Sequence, residues 1–248
     1  MSRSTFAVAA LALSVLALPS QAATIFSDGV FNNGDWTAST VTNAGGAGST
    51  TSEFQMLTGG NPNEYREIHT NLNASVAGGA VWSLNLRNAA TYNPNTQGAI
   101  STIDYSEDSL NISQLGNGHA TGLLIQQGGL TFVLRNPILA MAQPTFNTWS
   151  ANAAPGLVAG DLWEIDNAGI LNSTSNPDFS TAGGVMQFGF YRGVSSGNFT
   201  GQETRRTGID NWRVQINEAD DGTVIPSPAA APAGLLGLIG VATLRRRA

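Results

Sequence analysis

The chain has 248 residues, a formal net charge of −6, eleven arginines, no lysine and no cysteine. Without cysteine, disulfides and thiolate metal sites are excluded. An acidic chain that offers neither a P-loop nor a basic patch argues against binding to nucleic acid or to anionic lipid. Abundant glycine and a charged fraction of only 11% favour strands and turns over long helices.

The first 22 residues have the three parts of a secretory signal peptide. Arg3 precedes an apolar stretch over residues 6–18, and small residues follow up to Ala22. We therefore predict cleavage by signal peptidase after Ala22 or Ala23, and export of the remaining chain. Residues 23–224 contain all seventeen acidic residues but only seven arginines, so the exported part carries a net charge near −10.

Alternating apolar and polar residues predict strands throughout the exported part. Gly128 and Gly129 separate residues 123–126 from residues 130–134, which is a two-residue hairpin signal. The other predicted strands cover residues 36–42, 53–57, 65–72, 81–86, 99–105, 186–190 and 209–216. Many short strands between Gly-Gly and Asn-Pro turns predict one all-β domain over residues 23–217, a single β-sandwich of the jelly-roll type. Residues 153–161 are expected to form one helical turn.

The two ends of this domain resemble the terminal strands of concanavalin-like and laminin-G-like jelly rolls. Phe26-Ser27-Asp28 opens the first strand region, and Ile209-Asp210-Asn211-Trp212 lies in the last. The resemblance implies a concanavalin A-like sandwich, in which a structural Ca²⁺ often takes oxygen ligands from the first and last strands. Asp28 and Asp210 would then be its carboxylate ligands.

Strand parity gives Asp210 a second interpretation. Asp210 shares the parity of Trp212 and Val214, so its carboxylate is expected to face inward. An inward carboxylate must be hydrogen-bonded, paired with a charge or bound to a cation. Capping of backbone amides in the preceding turn satisfies this requirement without calcium, and both interpretations stay open.

The segment Trp163-Glu164-Ile165-Asp166 contains the pair of acidic residues that most resembles a catalytic pair. On a strand, Glu164 and Asp166 would share one face, as the two carboxylates of a retaining glycosidase do. The segment resembles the first half of the Glu-x-Asp-x-x-Glu motif of concanavalin-like glycoside hydrolases. Gly169 stands where the motif has its third acid, so the proton donor is missing. We predict no catalytic residue and a solvated turn beside a core Trp163.

The remaining acidic clusters and both histidines are predicted at the surface. Solvated charge at strand edges is expected for Glu64, Glu67, Asp104, Glu107 and Asp108. His69 and His119 lack metal-ligand spacing and are expected in surface or turn positions. Among the five tryptophans, Trp149 has polar neighbours and is predicted to be the exposed ring, which could stack on a sugar.

The last 31 residues form a linker and a tail. Residues 218–228 are acidic and proline-containing, and residues 229–248 contain an apolar run that ends in an arginine cluster. A C-terminal hydrophobic helix starting at Pro232 would be about 20 Å long, which is shorter than a hydrocarbon core of about 30 Å. The terminal arginines should stay on the cytoplasmic side of a membrane.

Together these features resemble the PEP-CTERM sorting signal of Gram-negative, polysaccharide-producing bacteria. The matching residues are Pro226, Ser227, Pro228, Arg245, Arg246 and Arg247, with Ser227 in place of the usual glutamate. The resemblance implies export across the inner membrane, recognition by an exosortase-like enzyme, and delivery to the cell envelope, outer surface or extracellular matrix. Cleavage of the tail and its retention as a transmembrane anchor both stay open.

The leading hypothesis is an exported, non-catalytic β-sandwich with a structural or adhesive role, in which it could bind exopolysaccharide. No cofactor is predicted apart from the structural calcium. The alternatives are a glycosidase-like enzyme that uses Glu164 and Asp166, and a surface-layer subunit without a ligand.

Overall fold

The computed structural model describes residues 23–113, 119–136 and 147–219. The predicted signal peptide, most of the linker and the whole tail therefore lie outside the described residues. The same applies to every residue of the predicted sorting signal: Pro226, Ser227, Pro228, Arg245, Arg246 and Arg247. Within the described ranges, no helix combines the length and the apolar character needed to cross a membrane.

The described residues form thirteen strands, one short helix and three 3₁₀ turns. The strands are β1 (Thr24–Asp28), β2 (Trp36–Thr42), β3 (Thr50–Gly60), β4 (Asn63–Ala74), β5 (Ala80–Tyr92), β6 (Ile100–Asn111), β7 (Ala120–Gln127), β8 (Leu130–Leu134), β9 (Ser150–Leu157), β10 (Leu162–Ile165), β11 (Leu171–Asn172), β12 (Met186–Ser195) and β13 (Gly201–Glu218). The helix is α1 (Pro94–Gln97), and the 3₁₀ turns are Asn33–Asp35, Ala44–Gly46 and Ala159–Asp161. The prediction of an all-β chain is confirmed.

Two antiparallel sheets pack face to face as a β-sandwich. The first sheet has the order β3-β4-β13-β6-β9, and β1 pairs with β13 beyond the end of β4. The second sheet has the order β11-β10-β8-β7-β12-β5-β2. The hairpin predicted at Gly128 and Gly129 is confirmed, since these residues join β7 to β8.

Alternating apolar side chains from both sheets fill the core. Its fully buried members include Ile103, Val214, Leu123, Phe188 and Phe190. The Trp36 ring packs against three other aromatic rings. Its centroid lies 5.4 Å from that of Phe31, 5.2 Å from that of Phe190 and 5.1 Å from that of Trp212. Burial of such large apolar rings is the main favourable term for a sandwich of this size.

The prediction of a helical turn over residues 153–161 is wrong for most of these residues. Residues up to Leu157 belong to β9, which pairs with β6, and only Ala159–Asp161 form a 3₁₀ turn. A run of small residues has little preference of its own, so pairing with β6 decides its conformation.

β13 is the central strand of the first sheet, and a bulge interrupts it at Asn211. The register against β6 shifts between Asp210 and Arg213, and Asn211 has a φ of 49°, in the left-handed region that asparagine tolerates. The extra residue reverses the strand parity, because Ile209 and Trp212 are both fully buried in the core. The inward orientation predicted for Asp210 from parity is therefore wrong, although its side chain is buried.

A buried ion pair joins the two sheets. Arg192 of β12 contacts both carboxylate oxygens of Glu107 of β6, with Nη2–Oε1 and Nη1–Oε2 distances of 3.0 and 3.1 Å. Hydroxyl groups of Tyr105, Ser109 and Thr121 also donate to Glu107. The prediction of a solvated edge charge at Glu107 is wrong because β6 is an interior strand, and burial is tolerated because every carboxylate oxygen has donors.

His119 also contradicts its prediction, because it is only 5% exposed. It directly precedes β7, whose inward side chains lie between the sheets, so the ring is enclosed with them. Burial, reinforced by the nearby charges of Arg192 and Arg205, holds the pKa of His119 well below its usual range. The imidazole is therefore neutral in the folded protein.

Arg192→Met is expected to lower the free energy of unfolding by about 3–5 kcal/mol, because it leaves the Glu107 carboxylate buried without its counter-charge. Arg192→Met combined with Glu107→Leu removes both charges and should cost less than the sum of the two single losses. Urea unfolding of the wild type, both single variants and the double variant measures this coupling. Strictly additive losses would show that the pair does not couple the sheets.

Candidate functional site

The outer face of the first sheet carries aromatic and polar side chains around the turn between β3 and β4. We call this surface the outer site and define it by Tyr65, Asp108, Trp149, Asp210 and Asn211. The turn itself folds onto this face: the backbone carbonyl of Gly59 accepts a hydrogen bond from Nε1 of Trp149 at 2.9 Å, and the backbone amide of Asn61 donates to the Asp210 carboxylate. Two residues that the sequence singled out separately, Trp149 and Asp210, therefore contact the same turn.

Trp149 and Tyr65 form an aromatic pair at this site. Their ring centroids lie 5.4 Å apart and the ring planes are nearly perpendicular. Gly208 of β13 lies beneath them, and a Cβ atom at that position would come within 3.0 Å of both rings. The close approach therefore depends on glycine. Trp149 is half-buried rather than freely exposed, so its ring has a fixed orientation and an accessible part.

Asp210 accepts backbone hydrogen bonds from Asn61 and from Asn211, the latter at 2.6 Å. Asp210 therefore caps backbone amides, but these belong to the β3–β4 turn and to the bulge rather than to the turn that precedes β13. Burial raises the pKa of Asp210; the two amide bonds oppose the rise, and the nearby charges of Asp108 and Glu64 add to it.

An open groove of about 320 Å³ lies beside these residues, between β6, β9 and the bulge. The side chains of the outer site that border it are Asp108 and Asn211, and Ala151 and Ala153 of β9 line its other side. Oδ2 of Asp108 accepts from Nδ2 of Asn211 at 2.7 Å. Trp149 directly precedes β9 and does not itself line the groove. The β3–β4 turn links the two, because Gly59 accepts from Trp149 and Nδ2 of Asn61 donates to Oδ2 of Asp108 at 3.1 Å.

Glu67 anchors the site from beneath, and its predicted place at a solvated edge is wrong. β4 is an interior strand, and the Glu67 side chain is fully buried. It accepts from the Tyr65 hydroxyl at 2.9 Å, hydrogen-bonds Nε2 of His69 at 2.6 Å and pairs with Nε of Arg206. Burial alone would raise the pKa of Glu67, but the bonds from Arg206, Tyr65 and His69 outweigh burial and lower the pKa. His69 is thus a part of this cluster, with a half-buried ring.

The geometry at Asp28 does not fit a calcium ligand. Oδ1 of Asp28 accepts two backbone amides at 2.9 Å each, and Oδ2 contacts Nε1 of Trp36 at 2.9 Å and Nε of Arg87 at 3.1 Å. A cation would have to displace the Arg87 guanidinium from these oxygens. Throughout the described ranges, no group of three or more acidic, histidine or cysteine residues is arranged to hold a metal ion.

The glycosidase hypothesis requires Glu164 and Asp166 to lie on one face of a strand. They do not. β10 ends at Ile165, and Asp166 belongs to the turn that follows it. There Oδ1 of Asp166 accepts the backbone amides of Ala168 and Ile170 at 2.9 and 2.8 Å. Trp163 is half-buried, with the Arg135 guanidinium 5.2 Å from its ring centroid.

The sequence did not single out Asp108 or Asn211 as site residues. Asn211 could have been noticed as an asparagine inside an otherwise apolar alternating strand, which is a signal for a bulge or a left-handed residue. Asp108 carries no such local signal, because its role follows from pairing with β13.

Neither a protein-family model nor a curated protein matches this chain. Among solved structures, the C-terminal family 22 carbohydrate-binding module of Clostridium thermocellum Xyn10B matches with a TM-score of 0.42 and 12% identity, covering 77% of this chain and 92% of that one. The CBM22-1 xylan-binding domain of Paenibacillus barcinonensis Xyn10C matches with a TM-score of 0.40 and 9% identity, covering 81% and 99%. SGBP-B from a xyloglucan utilization locus of Bacteroides uniformis matches with a TM-score of 0.33 and 14% identity, covering 71% and 44%. All three TM-scores are below 0.5, so we infer no function from these similarities.

Proposed function

We propose that this protein is an exported, non-catalytic β-sandwich that binds a glycan through the outer site. Its C-terminal tail would sort it to the cell envelope or exopolysaccharide matrix of a Gram-negative bacterium, where it acts structurally or adhesively. The observation that carries the binding proposal is the partly accessible Trp149 ring, which Gly59 and Tyr65 hold in place. The β3–β4 turn that contacts this ring also contacts Asp108, which borders the groove with Asn211.

Such a combination suits the chemistry of sugars. The apolar face of a sugar ring packs on an indole, and its hydroxyl groups hydrogen-bond to carboxylate and amide side chains. Because Trp149 is already bonded to the backbone of the β3–β4 turn, little conformational freedom is lost when a ligand packs on it.

The jelly-roll topology, the export and the sorting of this protein are proposed from its sequence. The strand pattern and the two terminal strands support a concanavalin-like jelly roll, the N-terminal segment supports processing by signal peptidase, and Pro226-Ser227-Pro228 with Arg245, Arg246 and Arg247 supports an exosortase-like partner. The tail would also bring the chain into contact with the membrane before processing. No cofactor is required for binding.

Trp149→Ala is expected to weaken glycan binding about 10-fold or more, because it removes the ring on which the sugar packs. The measurement is affinity electrophoresis of the full-length protein through gels containing the producing cells' exopolysaccharide, xyloglucan or arabinoxylan. Trp163→Ala is the matched control, since it removes a half-buried ring from the second sheet.

Each gel is run in EDTA and in excess calcium chloride. No difference between the two is expected, because protein donors already occupy the Asp28 carboxylate. A wild type that none of the polymers retards, or equal effects of Trp149→Ala and Trp163→Ala, would refute binding at the outer site. Calcium-dependent binding would support the predicted metal site instead.

Intact-mass measurement of the exported chain tests the sorting proposal. We expect a mature N-terminus after Ala22 or Ala23 and a C-terminus near the proline motif, because a short apolar tail serves better as a recognition signal than as a permanent span. An exported chain that still ends beyond Arg247 would contradict removal of the tail.

A further inference from the structure

The two carboxylates of the outer site, Asp108 and Asp210, and the neighbouring Glu64 have no cationic partner among the described residues. Oδ2 of Asp108 accepts only amide groups, from Nδ2 of Asn61 at 3.1 Å and Nδ2 of Asn211 at 2.7 Å. The groove is therefore bordered by one carboxylate, Asp108, with which no described cation forms an ion pair.

Two arginines of β13 lie on this face, and neither pairs with Asp108 or Asp210. Arg213 lies between the core residues Trp212 and Val214, opposite Ser106 of β6, and its Nη2 donates to Oε1 of Gln215 at 2.6 Å. Arg206 lies on β13 two residues before Gly208, and its guanidinium is paired with the buried Glu67 carboxylate. The pair is neutral as a unit. Arg206 can still donate hydrogen bonds from its exposed end, but it offers no net positive charge to a ligand.

The polar groups that face the groove suit hydroxyl groups. Oδ1 of Asp108 has no hydrogen-bond partner among the described residues, so it is available to accept from a sugar hydroxyl. The Ser106 hydroxyl also borders the groove and can donate or accept. Ala151 and Ala153 leave room for a ring to lie against β9.

We propose that the groove between β6 and β9 is a subsite for an uncharged glycan, with Asp108 as hydrogen-bond acceptor, and that it discriminates against polymers bearing carboxylates. This rests on the glycan-binding function proposed above. A glycan carboxylate about 6 Å from Asp108 at a partly solvated surface would lose roughly 3- to 10-fold in affinity through like-charge repulsion. The net charge near −10 of the exported part acts in the same direction.

The test compares charged and uncharged forms of the same polymer. The producing cells' exopolysaccharide and xyloglucan are each prepared in an uncharged form, by reduction of any carboxyl groups to primary alcohols, and in a charged form, by oxidation of primary hydroxyls to carboxylates. Retardation of the full-length protein in gels of both forms gives a ratio of affinities. The wild type should bind the uncharged form at least about 3-fold more tightly.

Asp108→Asn tests whether the charge of Asp108 causes the preference for the uncharged form. It keeps the shape and one acceptor oxygen but removes the charge, so the preference for the uncharged form should fall towards unity. Asp166→Asn is the matched control: it makes the same change in a turn of the other sheet and should leave the preference unchanged. Thermal unfolding of both variants confirms that each is folded.

The possible failures are distinguishable. If the wild type binds both forms equally, or prefers the charged form, the charge discrimination is refuted while glycan binding stands. An unchanged preference in Asp108→Asn removes Asp108 from the subsite. If neither polymer binds in either form, this proposal and the proposed function fail together.

Discussion

The left-handed residue Asn211 in the middle of β13 organises both faces of the first sheet. In an uninterrupted strand, Ile209 and Trp212 would point to opposite faces, yet both are buried in the core. At the same bulge, the Asp210 carboxylate binds the backbone amide of Asn61, and the Asn211 side chain binds the Asn61 carbonyl at 2.6 Å. One local distortion thus completes the core and holds the β3–β4 turn against the outer site.

Buried carboxylates then hold the sandwich on both sides of that strand. On the inner face, Glu107 joins the two sheets through its ion pair with Arg192. On the outer face, Glu67 accepts a hydrogen bond from the Tyr65 hydroxyl and pairs with Arg206. Each carboxylate is tolerated because several donors surround it. Tyr65 extends the outer cluster to the Trp149 ring, so this ring is anchored by the sheet as well as by the turn. The stability of the core and the rigidity of the site therefore depend on the same central strands.

Local sequence predicted the strands well and their surroundings poorly. β2 and the hairpin at Gly128 follow from alternation and turn residues, which act over short distances. The burial of Glu67 and Glu107 could not be predicted, because it depends on β4 and β6 flanking β13 inside the sheet. For the same reason, the sequence indicated only some residues of the outer site. Trp149 and Asp210 were noticed singly, but the turn that unites them lies 90 and 149 positions away in sequence.

We propose that a glycan binds at the outer site, against the Trp149 ring. Two-dimensional ¹H–¹⁵N NMR of the labelled protein, titrated with oligosaccharides from the producing cells' exopolysaccharide, locates the binding surface. If a glycan binds there, the signals of the Trp149 indole N–H and of the Asn211 side-chain amide should shift with ligand, while the indole signals of Trp82 and Trp163 in the second sheet should not. Shifts confined to the second sheet, or no shifts at saturating oligosaccharide, would contradict this proposal.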